Sequence, residues 1–232
     1  MASKPHVPAH ASWVKNWGKI KNELVQSCNQ MHDGAQVMLM QTVIYVLTTI
    51  VELFVLAVLL RFYAQVFRAS FRNPIAQFAV ALTDWIVKPL RRLVPSIKGL
   101  DSASFLTAWI AQMILWGVVL ALRNEAAYDN PVFWPVLAAL ALVMVLKLSI
   151  YLLIGVVIVQ AVLSWVNPYH PIRPFFDSLC RVFLRPLQRI IPLVGGVDLS
   201  PLVLLIVLQV LLMLPIALLQ HQVLAMLQQL PR

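Results

Sequence analysis

Glycine, cysteine and acidic residues are all scarce in this chain of 232 residues. It has seven glycines, two cysteines and nine acidic residues. Cys28 and Cys180 stand alone without a close partner, so a dithiol redox motif or a cysteine-rich zinc site is excluded. Seven glycines beside fifteen prolines favour abrupt helix ends over flexible linkers.

Charge of either sign is scarce as well. Charged residues make up 12% of the chain and hydrophobic residues 61%, whereas soluble domains average about 25% and about 45–50%. A soluble protein of this length could not bury so much apolar surface, so we expect lipid to surround most of it. The sequence contains no His-Glu-x-x-His, no Ser-His-Asp grouping and no Gly-rich phosphate loop. We therefore expect no enzyme, no catalytic residue, no metal and no cofactor.

Long apolar runs are what the chain has instead. A spanning helix needs about 20 mostly apolar residues, and four segments qualify: 37–62, 103–122, one within 132–166, and 201–219. The third segment looks too long for one helix and too short for two with a loop. We interpret 131–142 as a shallow or tilted approach to the membrane and 142–166 as the span proper. The first 36 residues lack the features of a signal peptide, so we expect the first run to be an uncleaved anchor.

The chain also repeats itself. The second copy of the motif lies 97 residues after the first, without a gap, and Gln112 and Gln209 extend the match into the next apolar runs. The matched residues are Pro89, Pro95, Gly99 and Asp101 in the first copy and Pro186, Pro192, Gly196 and Asp198 in the second. This spacing indicates an internal duplication.

The duplication predicts the domain organisation. Each copy holds two spans, so the chain returns to its starting side and the two tandem repeats are parallel. The predicted fold is an all-α polytopic membrane protein with a polar tail, a first repeat, a connection with the shallow segment, a second repeat and a C-terminal tail. Their predicted bounds are 1–36, 37–123, 124–141, 142–222 and 223–232.

A basic loop lies between the two spans of each repeat. In both loops apolar residues recur at helical spacing, which predicts an amphipathic helix in the membrane interface. We expect Pro89 and Pro186 to end these helices, and Asp101 or Ser102 to cap the second span. The basic residues after the helices suit phosphate headgroups; they are Lys88, Arg91, Arg92, Arg185 and Arg189.

The net charge of +9 favours membrane partners over nucleic acid. Ten basic residues fall in the two loops and six on the other side, four of them in the N-terminal tail. The positive-inside rule then predicts that the basic loops are cytoplasmic. Two interpretations of these loops stay open: membrane orientation with anchoring on anionic lipid, or a docking surface for a cytoplasmic partner. A homo-oligomer is also compatible with the sequence.

Two pairs of polar residues inside the spans are candidate sites. Glu52 lies mid-span and Lys147 lies early in the third span, and intramembrane charges are costly enough to suggest a function. One hypothesis pairs Glu52 with Lys147 across the repeats; the other has Lys147 snorkelling to the surface while Glu52 bonds a nearby hydroxyl. Gln112 and Gln209 would face each other if both point inward, either as interhelical contacts or as the lining of an ion path.

The repeated motif, a basic residue followed by Pro-x-x-Arg-x-x-Pro and then Gly-x-Asp, resembles the YggT family of bacterial inner-membrane proteins, called YlmG in plastids. The resemblance covers about residues 41–219 and includes Asn73-Pro74 and Glu52. The chain departs from the family where Trp85 follows Asp84 in place of a proline, and where Gln188 stands opposite Arg91. The resemblance implies a multi-pass protein of the bacterial inner membrane.

What this resemblance implies for function is broad. The family is linked to osmotic-shock tolerance and potassium homeostasis in some bacteria, to cell division in others, and to assembly of membrane cytochrome complexes in plastids. No enzymatic activity is associated with it. Two hypotheses therefore stand: a protein of ion or osmotic balance, for which Glu52 should be reachable by water, and a membrane scaffold or assembly factor that acts on a membrane-protein partner through its basic loops.

Overall fold

The computed structural model describes the backbone of residues 9–70, 73–93, 101–123, 128–167, 169–190 and 198–230, with side chains at residue 34 and from residue 36 onward. Within these ranges the chain is helical and has no strand. The helices are α1 (Ala9–Val66), α2 (Pro74–Leu93), α3 (Ser102–Leu122), α4 (Phe133–Val166), α5 (Arg173–Ile190), α6 (Ser200–Leu211) and α7 (Ala217–Gln228). A π-helical turn, Leu212–Ile216, joins α6 to α7.

Four helical stretches are long and apolar enough to cross a membrane, which confirms the predicted fold class. They are Gln36–Val66, Ser102–Leu122, Phe133–Val166 and Ser200–Gln228. Between 22% and 33% of the most apolar window of each is buried inside the protein. Most of their apolar side chains therefore face outward, which is stable only with lipid as the solvent.

The third span differs from the expectation. α4 runs as one helix of 34 residues from Phe133 to Val166, so the view that this segment is too long for a single helix was wrong. Its one proline, Pro135, lies in the first turn, where no backbone N–H is needed. A helix of this length measures about 51 Å, more than the roughly 30 Å of hydrocarbon, and such a helix tilts or extends beyond the membrane.

The chain divides after Leu47 into two units. In the first, residues 9–47 are helical, including most of the segment predicted as a polar tail; residues 1–8 lie outside the described part. The apolar side chains of Val37, Met38 and Leu39 are exposed.

The second unit, Thr48–Arg232, is built around α4, which packs against α3, α5, α6 and α7. One apolar cluster joins α1, α3 and α4 through Val58, Ala108 and Val145. A second joins α3, α4 and α7. The largest joins α4, α5 and α6 to the end of α1 and the start of α2, and includes Ala76, Phe175 and Leu208.

The two loop helices exist as α2 and α5, but neither ends at its proline. α2 continues past Pro89 to Leu93, and α5 continues past Pro186 to Ile190. Both prolines are exposed, so water can satisfy the carbonyl group that each leaves without a donor. The other predicted markers of the motif, Pro95, Gly99, Pro192 and Gly196, lie outside the described residues.

Candidate functional site

A buried cluster of charges lies where α1, α2 and α3 meet. Arg61 of α1 is only 4% exposed, although it belongs to a span. Its Nη1 donates to Asp84 Oδ1 at 2.7 Å and to Thr83 Oγ1 at 3.1 Å, both on α2. A buried guanidinium is stable only when paired in this way, so Arg61 fixes α2 against the first span.

Asp101, directly before α3, is the second half of this cluster. It is 2% exposed, and its carboxylate accepts two hydrogen bonds from Arg91, one from Nε at 3.1 Å and one from Nη2 at 2.5 Å. Ser104 Oγ donates to it at 2.5 Å, and Arg61 Nε lies 3.8 Å away. With its side-chain amide rotated by half a turn, Gln65 donates to Asp101 through its amide nitrogen and accepts from Arg91 through its amide oxygen. We call these seven residues the Arg61 cluster: Arg61, Gln65, Thr83, Asp84, Arg91, Asp101 and Ser104.

Two sequence-based expectations change here. Asp101 occupies the N-cap position of α3, but its carboxylate bonds no backbone N–H of that helix and instead joins three helices through side chains. Arg91, expected to contact headgroups, donates to Asp101 and is therefore engaged within the protein. The reason is the same in both cases, because a bidentate arginine is a stronger partner for a buried carboxylate than a single N–H.

The cluster also sets the ionisation of its acids. Burial alone would raise the pKa of Asp101, but the hydrogen bonds from Arg91 and Ser104 and the charges of both arginines outweigh it and hold that pKa below its usual range. The hydrogen bond from Lys88, followed by that from Arg61, lowers the pKa of Asp84. The same Asp101 contact raises the pKa of Arg91. Asp84, Arg91 and Asp101 are therefore each stabilised in the ionised form.

In the second repeat, glutamines stand at the positions of Arg61 and Arg91, while the acid that Gln160 contacts, Asp177, also pairs with Arg173 at 3.4 Å. When Val66 is placed opposite Trp165, Arg61 falls opposite Gln160, which is 8% exposed. Gln160 Nε2 donates to Asp177 Oδ1 at 3.3 Å. Gln188, opposite Arg91, donates to Asp198 Oδ2 at 2.7 Å on the exposed surface. Asp198 Oδ1 accepts from the backbone N–H of Ser200, so this acid, unlike Asp101, bonds the start of its helix.

α2 presents two different faces. Small or β-branched residues pack on the protein, namely Ala76, Ala79, Thr83 and Val87, each at most 2% exposed. Two bulky residues of the predicted amphipathic pattern are exposed, Phe78 at 67% and Trp85 at 70%, and the Trp85 ring also meets that of Phe54 on α1, with the ring centroids 6.1 Å apart. Lys88 is exposed too and pairs with Asp84 at 2.7 Å. In α5 the corresponding aromatic residue, Phe175, is buried.

The predicted Glu52–Lys147 pair is not in direct contact. Lys147 Nζ donates instead to Gln220 Oε1 at 3.0 Å, on α7. Both side chains are half-buried in the second unit. An energetic coupling between them stays a prediction.

Gln112 and Gln209 do not face each other. Gln112 is fully buried, and neither its Nε2 nor its Oε1 has a hydrogen-bond partner in the described part of the chain. Gln209 is exposed and lines a crevice with Lys147, Tyr151 and Gln220. The expected symmetric arrangement was therefore wrong, because α6 turns this residue outward where α3 turns its counterpart inward.

The remaining basic candidates are exposed at the surface. Arg92, Arg185 and Arg189 all have exposed side chains on α2 and α5. Sequence reasoning missed Arg61, Thr83, Ser104 and Gln65. The available signal was Arg61 itself, the one charge between Glu52 and Arg68 in an otherwise uncharged stretch.

Comparison with known proteins identifies relatives but no known activity. The sequence model of the CCB3/YggT family matches residues 40–122 and 139–219, one match for each repeat. The protein named "Uncharacterized protein YggT" from Escherichia coli (strain K12) is 35% identical over 172 residues, which cover 74% of this chain and 87% of that protein. An uncharacterized protein of Vibrio alginolyticus is 34% identical over 171 residues, covering 73% and 91%.

A third relative, an uncharacterized protein of Haemophilus influenzae, is 32% identical over 171 residues, covering 73% of this chain and 88% of its own. No solved structure matches this chain. The two family matches fall on the two copies of the motif, and the curated relatives are similar over most of their length. The chain therefore belongs to the CCB3/YggT family of membrane proteins.

Proposed function

We propose that this protein is a non-enzymatic membrane scaffold that presents α2 to a partner at the membrane surface. One observation carries the proposal: the Arg61 cluster holds α2 through its small-residue face and leaves Phe78, Trp85 and Lys88 exposed. Burying charges is expensive, and here they orient a helix whose outer face combines aromatic and basic groups.

The outer face of α2 has the composition of a docking surface. Aromatic side chains and arginine are enriched where proteins bind each other, and Trp85 and Arg92 lie seven residues apart, on one side of the helix. The same residues suit anionic lipid headgroups, which would anchor the helix while a partner binds beside it. Assembly or cell-division complexes of the membrane are the class of partner we favour.

We also propose that the protein lies in the bacterial inner membrane with α2 and α5 on the cytoplasmic side. The support is the clustering of exposed basic residues on these two helices. The measurement is labelling with a membrane-impermeant thiol reagent in intact cells. Arg92→Cys should be protected until the membrane is opened, and Asp129→Cys, on the opposite connection, should react at once.

A second candidate function is a role in potassium or osmotic balance. Glu52 favours it, because its half-buried carboxyl group lies inside a span. Such intramembrane charges commonly mark ion pathways.

One experiment separates the two candidates. Purified protein in proteoliposomes is tested for potassium and sodium flux under an imposed potential and an osmotic step, beside Glu52→Gln and empty vesicles. The scaffold proposal expects flux equal to that of empty vesicles. Flux above that level, lost in Glu52→Gln, would overturn it in favour of ion transport.

A photo-crosslinking residue tests the scaffold directly. Placed at Phe78 in native membranes, it should give an adduct of one defined mass that disappears when Lys88 and Arg92 are both changed to Gln. The matched position is Leu202, an exposed residue in the first turn of α6. Equal adducts from both positions would mean that Phe78 contacts its surroundings without selectivity.

A further inference from the structure

A polar crevice opens between α4 and the α6–α7 segment, away from the Arg61 cluster. It has a volume of about 330 Å³. Its polar groups come from Lys147 and Tyr151, one turn apart on α4, and from Gln209 and Gln220 on the facing helices. Its walls are apolar, formed by Leu212, Met213, Ile216 and Ala217. Polar groups set in an apolar wall suit an amphiphilic ligand.

Most of the hydrogen-bonding capacity of this crevice is unused. Lys147 has three N–H donors, and one of them goes to Gln220 Oε1 at 3.0 Å. In the described part of the chain no hydrogen bond from Tyr151 or Gln209 is present, and no ion pair reaches Lys147. The free groups are mainly donors: the Lys147 ammonium, the Tyr151 hydroxyl and the amide nitrogens of Gln209 and Gln220. Unsatisfied donors in hydrocarbon are costly, so a ligand with several oxygen acceptors would bind favourably.

The backbone is irregular in the part of the α6–α7 segment that lines the crevice. Leu212–Ile216 form a π-helical turn that contains Pro215. A proline inside a helix removes one N–H and leaves a carbonyl without its donor, and π-turns are common at functional sites. Three residues of this turn line the crevice, namely Leu212, Met213 and Ile216.

The depth of Lys147 indicates which part of the membrane the crevice meets. Lys147 lies 13 residues before Gln160, about 20 Å along the helix axis. Gln160 contacts Asp177 of α5, on the side of the basic helices. In a hydrocarbon layer about 30 Å thick, Lys147 therefore lies about 10 Å from the far surface, in the half of the membrane away from α2 and α5. A lipid headgroup drawn about 10 Å inward from that surface would reach it.

From this arrangement we propose that the crevice binds the oxyanion of an anionic lipid, specifically its phosphate group, from the leaflet opposite the basic helices. The Lys147 ammonium supplies the charge, and Tyr151, Gln209 and Gln220 bond the remaining oxygens. The acyl chains lie along Leu212 and Met213. This site goes beyond the proposed scaffold function, because it uses other residues and the other leaflet.

Native mass spectrometry of the purified full-length chain with phosphatidylglycerol tests the proposal. We expect one tightly held lipid, whose occupancy falls about tenfold in Lys147→Met, as for loss of a charge-assisted contact. Tyr151→Phe removes only a hydroxyl group and should lower the occupancy about threefold. The matched control is Arg123→Met, which removes one exposed positive charge outside the crevice and should leave this lipid in place.

Three further ligands identify the source of the oxyanion. Phosphatidylcholine should bind less than phosphatidylglycerol, because its own cation offsets the phosphate. Oleic acid and inorganic phosphate should displace the bound lipid poorly. Displacement by inorganic phosphate would mean that the ligand is a soluble anion and would overturn the lipid assignment. Displacement by oleic acid would mean that a carboxylate binds as well and would overturn the phosphate assignment. Unchanged occupancy in both Lys147→Met and Tyr151→Phe would overturn the site itself.

Discussion

In the first repeat the loop helix is held by charge, and in the second it is held by an apolar core. α2 meets its neighbours through small residues and the ion pairs of Arg61 and Asp101. α5 instead buries Phe175 and Leu184 in the cluster formed with α4 and α6. Duplicated sequence has therefore produced one helix with an open aromatic face and one whose aromatic face is closed.

This difference shows which copy can do without charged contacts. The second repeat has Gln160 where the first has Arg61, and Gln188 where the first has Arg91, so it does not have the strongest contacts between a loop helix and its spans. The second copy tolerates this loss because Phe175 and its neighbours bury larger apolar side chains than the alanines and Val87 of α2 do. Cys180, fully buried opposite Thr83, belongs to that core, and burial raises the pKa of its thiol to about 12. We therefore expect it to react poorly with alkylating reagents.

The largest effect is expected from Arg61→Met. It removes the buried guanidinium that joins the half-buried Asp84 to the buried Asp101, and breaking a buried ion pair costs about 3–5 kcal/mol. The measurement is reversible unfolding in mixed micelles with increasing denaturing detergent. Gln160→Met, its counterpart, loses one hydrogen bond of 3.3 Å to Asp177, which keeps Arg173 as a partner, and should cost about 1 kcal/mol. Equal losses in the two variants would remove the distinction between a repeat held by charge and one held by an apolar core.

The second effect contrasts the aromatic residues of the two helices. Phe175→Ala empties part of a packed core and should lower the free energy of unfolding by about 3 kcal/mol. Phe78→Ala, 97 residues earlier, removes an exposed ring and should change it by no more than about 0.5 kcal/mol. The same unfolding assay checks both. A large loss in Phe78→Ala would show that α2 is packed on its outer face as well.

Acid should weaken the first repeat through its two buried or paired aspartates. The folded-state pKa values of Asp84 and Asp101 are lowered, so the unfolded chain binds protons more readily. Their contribution is therefore complete above the unfolded value of about 3.9 and is lost as the pH falls through the folded values. The thermal unfolding temperature, measured from pH 6 downward, should begin to fall at about pH 4. An Asp84→Asn, Asp101→Asn variant should be less stable at pH 6 but less sensitive to acid, and a parallel decline would contradict this origin.

The sequence was sufficient for the architecture because its signals there are long and repeated. Four apolar runs and a motif recurring after 97 residues predict spans and repeats with little dependence on side-chain detail. The site was harder. Arg61 could be seen as a charge in an apolar run, but its partners lie 22 to 40 residues away, and only packing brings them together. The prediction that α2 ends at Pro89 failed for a local reason. The cost of a proline inside a helix depends on whether water reaches the carbonyl group that it leaves without a donor, and no sequence pattern near Pro89 specifies that exposure.

The smallest expected effect comes from returning a charge to the second repeat. Gln188→Arg recreates, opposite Asp198, the arginine that Asp101 has in Arg91. Gln188 is exposed, and exposed ion pairs contribute only about 0–1 kcal/mol. We therefore expect a gain below about 0.5 kcal/mol that disappears at high salt. A gain as large as the loss in Arg61→Met would mean that the sequence of the motif determines the strength of the contact. A negligible gain would mean that burial determines it, since Asp101 is enclosed between α1 and α3 whereas Gln188 lies at the surface.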